Sequence, residues 1–141
     1  MNASLRGLVC FMCVMAWTIV PGSMLHAREK EAKFLASEVG YATYYAQKFQ
    51  GLTTASGTKF DNQRAIAAHR KYPFGTVVRV TNIRNGKSVN VVIVDRGPYG
   101  KNRREGAVID LSQKAAQNIG IIREGQARVR VDVLKWGRPP R

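Results

Sequence analysis

The sequence predicts a small, mainly β domain closed into a barrel. Three observations point there: short runs of apolar and polar alternation, one helical pattern, and long loops rich in Gly, Thr and Ser. Residues 39–45 open the domain, rich in Tyr with Gly40 and Ala42, as in a strand packed closely on its neighbours. Residues 47–57 read as a long loop. The stretch AIAAH, ending at His69, is apolar and small and carries the histidine into or beside the core. Residues 76–82 alternate Val with Arg79 and Thr81, and Asn85-Gly86 then precedes a second valine-rich strand at 88–94. That dipeptide between two such runs is a strong short-range hairpin signal. One helix follows: Ser112 is a good N-cap, Ala115, Ala116 and Ile119 share a face, and Gly120 stops it. Residues 129–134 alternate again and close the unit.

The ends read differently. Residues 1–27 run from one positive charge, Arg6, through an apolar stretch at 8–20 to Pro21-Gly22 and a small residue at Ala27. That order is an export signal cleaved after Ala27. The apolar stretch is shorter than the roughly 20 residues a spanning helix needs. Residues 28–38 are expected to be a frayed lead-in, 39–134 the domain, and 135–141 an exposed tail with two prolines. Cys10 and Cys13 form a C-x-x-C, but both fall inside the apolar stretch, so the processed chain has no thiol for redox or zinc chemistry. The expected location is the periplasm or cell envelope, and the expected state a monomer.

Charge narrows the partners. The chain has 23 Lys and Arg against 9 Asp and Glu, a formal net charge of +14. Such a balance favours a polyanionic surrounding. Export makes envelope acids better partners than nucleic acid, and the interleaved basic and aromatic pattern of a nucleic-acid module is absent.

Few residues can carry chemistry. With His26 in the export signal, His69 is the one histidine left, and one histidine without cysteine does not make a zinc site. No phosphate-binding glycine loop follows a strand, and no cofactor is expected. Ser56, His69 and Asp61 are the residue types of a serine hydrolase, without a nucleophile elbow around Ser56. The carboxylates offer more. A carboxyl beside apolar walls is kept protonated and can act as a general acid near neutral pH. Breaking a glycosidic bond needs such an acid. Asp95, at the end of a valine run before Arg96-Gly97-Pro98, and Asp61 are the candidates, with His69 to orient one of them. Asp110 reads as a cap before the helix. Tyr41, Tyr44, Tyr45 and Tyr72 could offer faces to sugar rings.

Taken in order, GYATYY, GLTTASGTKFD, AIAAHRKYPFGTVVRVTN, NGKSVNVVIVDRGPYG and VIDLSQKAAQNIG resemble the RlpA (rare lipoprotein A) family from about residue 39 to 134. The resemblance implies a six-stranded double-psi β-barrel, a fold shared with expansins and family 45 glycoside hydrolases. It implies endolytic lytic transglycosylase activity on peptidoglycan glycan strands, with a preference for strands lacking stem peptides. The family's acidic and histidine positions fall on Asp61, His69 and Asp95 as catalytic residues. Tyr44, Thr54, Ser56 and Arg96 are the expected substrate contacts. The chain departs from the pattern at Thr58, where many members have Glu. The lipid-attachment cysteine is not evident, so no stable membrane anchoring is expected, and the septal targeting of a glycan-binding SPOR domain is not expected either. The rival reading is an expansin-like module that binds or loosens the wall without cutting it.

Overall fold

Alternating burial organises the computed structural model, which describes residues 33–138. Its strands are β1 (Ala36–Tyr44), β2 (Ile66–His69), β3 (Val77–Asn82), β4 (Ser88–Asp95), β5 (Ala107–Leu111) and β6 (Ala127–Lys135). They close into a barrel in the order β1-β5-β2-β4-β3-β6. β1 with β5 and β2 with β4 run parallel, and the other four pairs are antiparallel. The mainly β, closed six-stranded barrel expected from the sequence is therefore present.

Side chains alternate because each strand turns successive residues to opposite faces. Val78 and Val80 of β3, Val91 and Ile93 of β4, Ile109 and Leu111 of β5, and Val129, Val131 and Val133 of β6 fill the interior with no exposed surface. Each such side chain contributes on the order of 1.5–3 kcal/mol through burial. β3 and β4 form the hairpin expected around Asn85-Gly86, with Asn82 N–H bonded to Lys87 O at 2.8 Å.

Four expectations need correction. There are two short helices among the described residues, not one: α1 (Gly100–Arg104) and α2 (Gln113–Asn118), besides a 3-10 turn at Gln47–Phe49. Gly100 opens α1 at φ 59°, and none of its residues is buried, so no apolar stripe marks it in the sequence. The lead-in is shorter than expected, because Ala36, Ser37 and Glu38 already pair with Val133, Asp132 and Val131. The tail is tied down: Trp136 packs edge-on against Tyr72 at 5.3 Å, and Gly137 N–H donates to Thr76 Oγ1 at 2.9 Å. Asp110 is not a helix cap but a residue of β5, and the cap of α2 is Ser112, which accepts from Ala115 N–H. The export signal, with Cys10, Cys13 and Ala27, lies outside the described residues.

Gly40 shows how tightly the barrel closes. A Cβ built there would sit 2.4 Å from Val108 Cγ1 and 3.1 Å from the Gly106 carbonyl oxygen. Gly40→Ala should therefore force β1 away from β5 and cost about 1–3 kcal/mol, as overpacking does. Urea denaturation checks this, with a lower midpoint at unchanged m-value expected.

Candidate active site

One register shift builds the site. Ala67 of β2 faces Ile93 of β4, but the next residue, Ala68, faces Asp95, so Val94 is extra in β4. Without it, strict alternation from Val91 and Ile93 would aim Asp95 into the core. An inserted residue reverses that parity. Asp95 instead joins an outward-facing row across four strands: Thr43 of β1, Asp110 of β5, Ala68 of β2 and Asp95 of β4. The two acids are two strand spacings apart at the backbone, about 9–10 Å. Between them in the row is Ala68, which is fully buried. The turn after Asp95 crosses close above, because Gly97 has no Cβ. One built there, at φ 144°, would meet Asp110 Oδ2 at 3.4 Å and the Ala68 Cβ at 3.8 Å.

The loop between β1 and β2 forms the opposite wall. It doubles back through Gly51 N–H to Phe60 O and Phe60 N–H to Leu52 O, both 2.8 Å. Its tip docks on the register shift: Ser56 N–H donates to Val94 O at 3.2 Å, and Ala55 N–H to Asp95 Oδ1 at 2.8 Å. The result is a cleft of about 360 Å³ lined by Tyr45, Phe49, Leu52, Thr54, Tyr99, Arg96 and both acids, Asp95 and Asp110.

The acids have different surroundings. Asp95 accepts from Ala55 N–H and Arg96 N–H on Oδ1, and from the Tyr45 hydroxyl on Oδ2 at 2.6 Å. Three donors occupy three of the roughly four acceptor positions of a carboxylate, leaving one on Oδ2. The Tyr45 phenol is pushed far above its ordinary range by burial and by its bond to Asp95, so it remains a donor. Asp110 is raised above the ordinary carboxylate range. Burial is the main cause, the Thr43 hydroxyl bonded to Oδ1 works against it, and the charge of Asp95 adds to it.

The other expected site residues divide. Thr54 and Arg96 line the cleft with Asp95. The hydroxyls of Thr54, Ser56 and Thr58 bond one another at 2.9–3.1 Å, and the Ser56 hydroxyl has no contact with His69. Asp61 is not brought to Asp95. It closes its own turn, with Oδ1 accepting from Gln63 N–H at 2.9 Å and from Gln50 at 3.4 Å. His69 orients neither acid. Its Nε2 pairs with Glu38 Oε1 at 2.5 Å, and its Nδ1 accepts from Lys71 and Tyr72 N–H. Tyr44 reaches Ile122 O instead of the cleft, while Tyr45, on the side of Thr43, takes the place expected for it. Sequence reasoning thus gave Asp110 and Tyr45 other roles, a helix cap and one of four sugar-facing tyrosines, and missed that both belong to the cleft beside Asp95. The signal for both was alternation, Tyr45 two residues beyond Thr43 and Asp110 between inward Ile109 and Leu111.

The closed six-stranded barrel, with two acids of unlike environment lining its cleft, is of the double-psi β-barrel class. Residues 37–131 match the family described as "Lytic transglycolase", and the chain belongs to that family. It is 46% identical over 98 residues to the probable endolytic peptidoglycan transglycosylase RlpA of Aquifex aeolicus, covering 70% of this chain and 42% of that one. The corresponding protein of Treponema pallidum is 51% identical, covering 70% of this chain and 31% of its own length. The endolytic peptidoglycan transglycosylase RlpA of Neisseria meningitidis is 37% identical, covering 84% of this chain and 47% of its own. The chain thus spans less than half the length of these relatives. Two solved structures share the fold. The Streptomyces papain inhibitor has a TM-score of 0.57 at 22% identity, covering 72% of this chain and 97% of its own. A Clavibacter michiganensis expansin has 0.55 at 23%, covering 74% and 54%.

Removing the Tyr45 hydroxyl tests the site's electrostatics. Tyr45→Phe keeps the ring between Phe49 and Phe60 and should cost about 1.5–3 kcal/mol, the range for hydrogen bonds to charged groups. Tyr44→Phe, whose hydroxyl meets a carbonyl at an exposed position, should cost less in the same denaturation experiment.

Proposed function

We propose that this protein is an exported lytic transglycosylase that cleaves peptidoglycan glycan strands, with Asp110 as general acid and Asp95 as its charged partner. The observation that carries the reading is that Asp95 and Asp110 line one cleft. Burial raises the pKa of Asp110 and so favours its protonated form, while three donors bond the carboxyl of Asp95. A buried acid with a raised pKa beside a second carboxyl suits the role of general acid. The relatives' names support the substrate class.

Asp110 gives its proton to the glycosidic oxygen as the bond from the muramic acid anomeric carbon to that oxygen breaks. The sugar's own C6 hydroxyl attacks the same carbon, and its proton passes to the free acceptor position of Asp95. No water is consumed, and the product carries a 1,6-anhydro end. An attacker within the same ring has the proximity advantage of well-oriented intramolecular reactions, roughly 10⁵–10⁸ M in effective molarity. Asp61, expected as partner of Asp95, takes no part in this scheme, and His69 acts at a distance. Phe49, Leu52 and Tyr99, each partly or mostly exposed on the cleft rim, offer apolar faces to sugar rings.

Incubating the purified protein with glycan strands stripped of stem peptides, then weighing the products, tests the reading. Anhydro ends, lighter by one water than hydrolysed ends, are expected. Asp110→Asn and Asp95→Asn should each lower the rate by roughly 10²–10⁴-fold, the usual worth of a general acid or base. The rate should fall as pH rises past the raised value of Asp110. Stability should fall over the same pH range. A group whose folded pKa is raised adds stability below its unfolded pKa and loses it as pH rises through the folded one. Asp110→Asn should therefore raise the melting temperature at neutral pH, with the gain vanishing in acid. Hydrolysed ends would instead make the protein a glycosidase. Tight binding without cleavage, in Thr58→Glu as well, would favour a wall-binding module, which the hydroxyl cluster at Thr54, Ser56 and Thr58 otherwise suits.

Export is a separate part of the reading. N-terminal sequencing of protein from the envelope fraction should begin near Arg28, and an intact Met1 on cytoplasmic protein would refute it.

A further inference from the structure

His69 and Glu38 stand on the other side of the barrel wall from the acids. Glu38 is the register partner of Val131 and His69 of Ile109, both core residues, so both side chains point into one end of the barrel. His69 Nδ1 accepts two backbone N–H bonds, at 3.1 and 3.0 Å, so the ring proton sits on Nε2 and is donated to Glu38 Oε1. The Tyr72 ring stacks on His69 at 3.7 Å and 12°. Together these bonds clamp the turn at 69–72 in one shape.

That turn holds Arg96, the one basic side chain lining the cleft among the described residues. Arg96 Nη1 donates to His69 O at 3.2 Å and Tyr72 O at 2.8 Å, and its guanidinium lies 3.9 Å from the centre of the Phe74 ring. Arg96 N–H in turn donates to Asp95 Oδ1 at 2.9 Å. A continuous path of bonds therefore runs from Glu38 through His69 and the turn to Arg96 and Asp95.

We infer that Glu38 is a positioning residue for the cleft, acting through His69 and the turn at 69–72 on the Arg96 guanidinium and, through the Arg96 backbone, on the Asp95 carboxylate. Glu38 touches no cleft residue itself; it decides where His69 sits, and His69 decides where two carbonyl oxygens sit. The inference rests on the proposed activity for its kinetic arm only.

The test is Glu38→Ala in the full chain, read two ways. By nitrogen–proton NMR, the backbone signals of Arg96 and Ala55, the two amide donors on Asp95, should shift together with those of Lys71 and Tyr72. By kinetics, kcat should fall roughly ten- to hundredfold with little change in KM, as expected when reacting groups are slightly misplaced. Glu38→Gln, which keeps an acceptor oxygen, should restore most of kcat. In an Arg96→Ala background, Glu38→Ala should cost little more, because the two changes break one path. Should Glu38→Ala not fold, Glu38→Leu removes the acceptor, keeps the volume and goes through the same cycle. Unmoved Arg96 and Ala55 signals, or losses that add in the double variant, would overturn the inference. If the unaltered protein cleaves no glycan, the proposed activity falls, and the NMR arm still judges the positioning.

Discussion

The direction of Asp95 depends on a single extra residue. Val94 interrupts the pairing of β4 with β2, and everything on the outer face near Asp95 follows from that interruption. A carboxylate kept in register would enter an interior of valines and isoleucines, where its desolvation would cost several kcal/mol. The shift places it outside, in line with Asp110. It also leaves the Val94 carbonyl free, and the tip of the β1–β2 loop supplies the missing partner through Ser56 N–H. The same device that turns the acid outward thus anchors the loop that walls the cleft.

Once the acids share a row, their difference in environment comes from their neighbours. Asp110 sits in the middle of a strand between inward residues, with Thr43 and Gly97 close, and burial disfavours its charge. Asp95 sits at a strand end, where Ala55, Arg96 and Tyr45 turn three donors toward it. Small residues are part of the arrangement: Ala68 is buried beneath the turn, and Gly97 lets the chain pass close over it and beside Asp110.

The interior end of the barrel carries the other polar cluster. Buried polar groups must be bonded to be tolerated. The Nε2 of His69 meets that demand through Glu38, and its Nδ1 through two amides. The cluster reaches the cleft by way of backbone carbonyls, which explains how a histidine can matter to a site that its ring never enters.

Strand periodicity and turn chemistry were legible in the sequence. The valine alternation of β3 and β4, Asn85-Gly86 between them, and Ser112 ahead of Ala115 and Ala116 are local signals, and the barrel follows from satisfying them together. Asp95 was legible too, since a carboxylate at the end of a valine run before Gly-Pro marks a turn at a sheet edge. What only the tertiary structure decided was which groups meet. The family resemblance pairs Asp61 with Asp95, yet the Asp61 side chain is spent on its own turn. Asp110 looks like a helix cap from its neighbours in sequence, yet β5 sets it two strands from Asp95. The register shift at Val94 has no sequence signature, because it is settled by pairing with β2, a strand more than twenty residues away. Local composition determined the strands; long-range pairing, where one residue of slip reverses every side chain, determined the site.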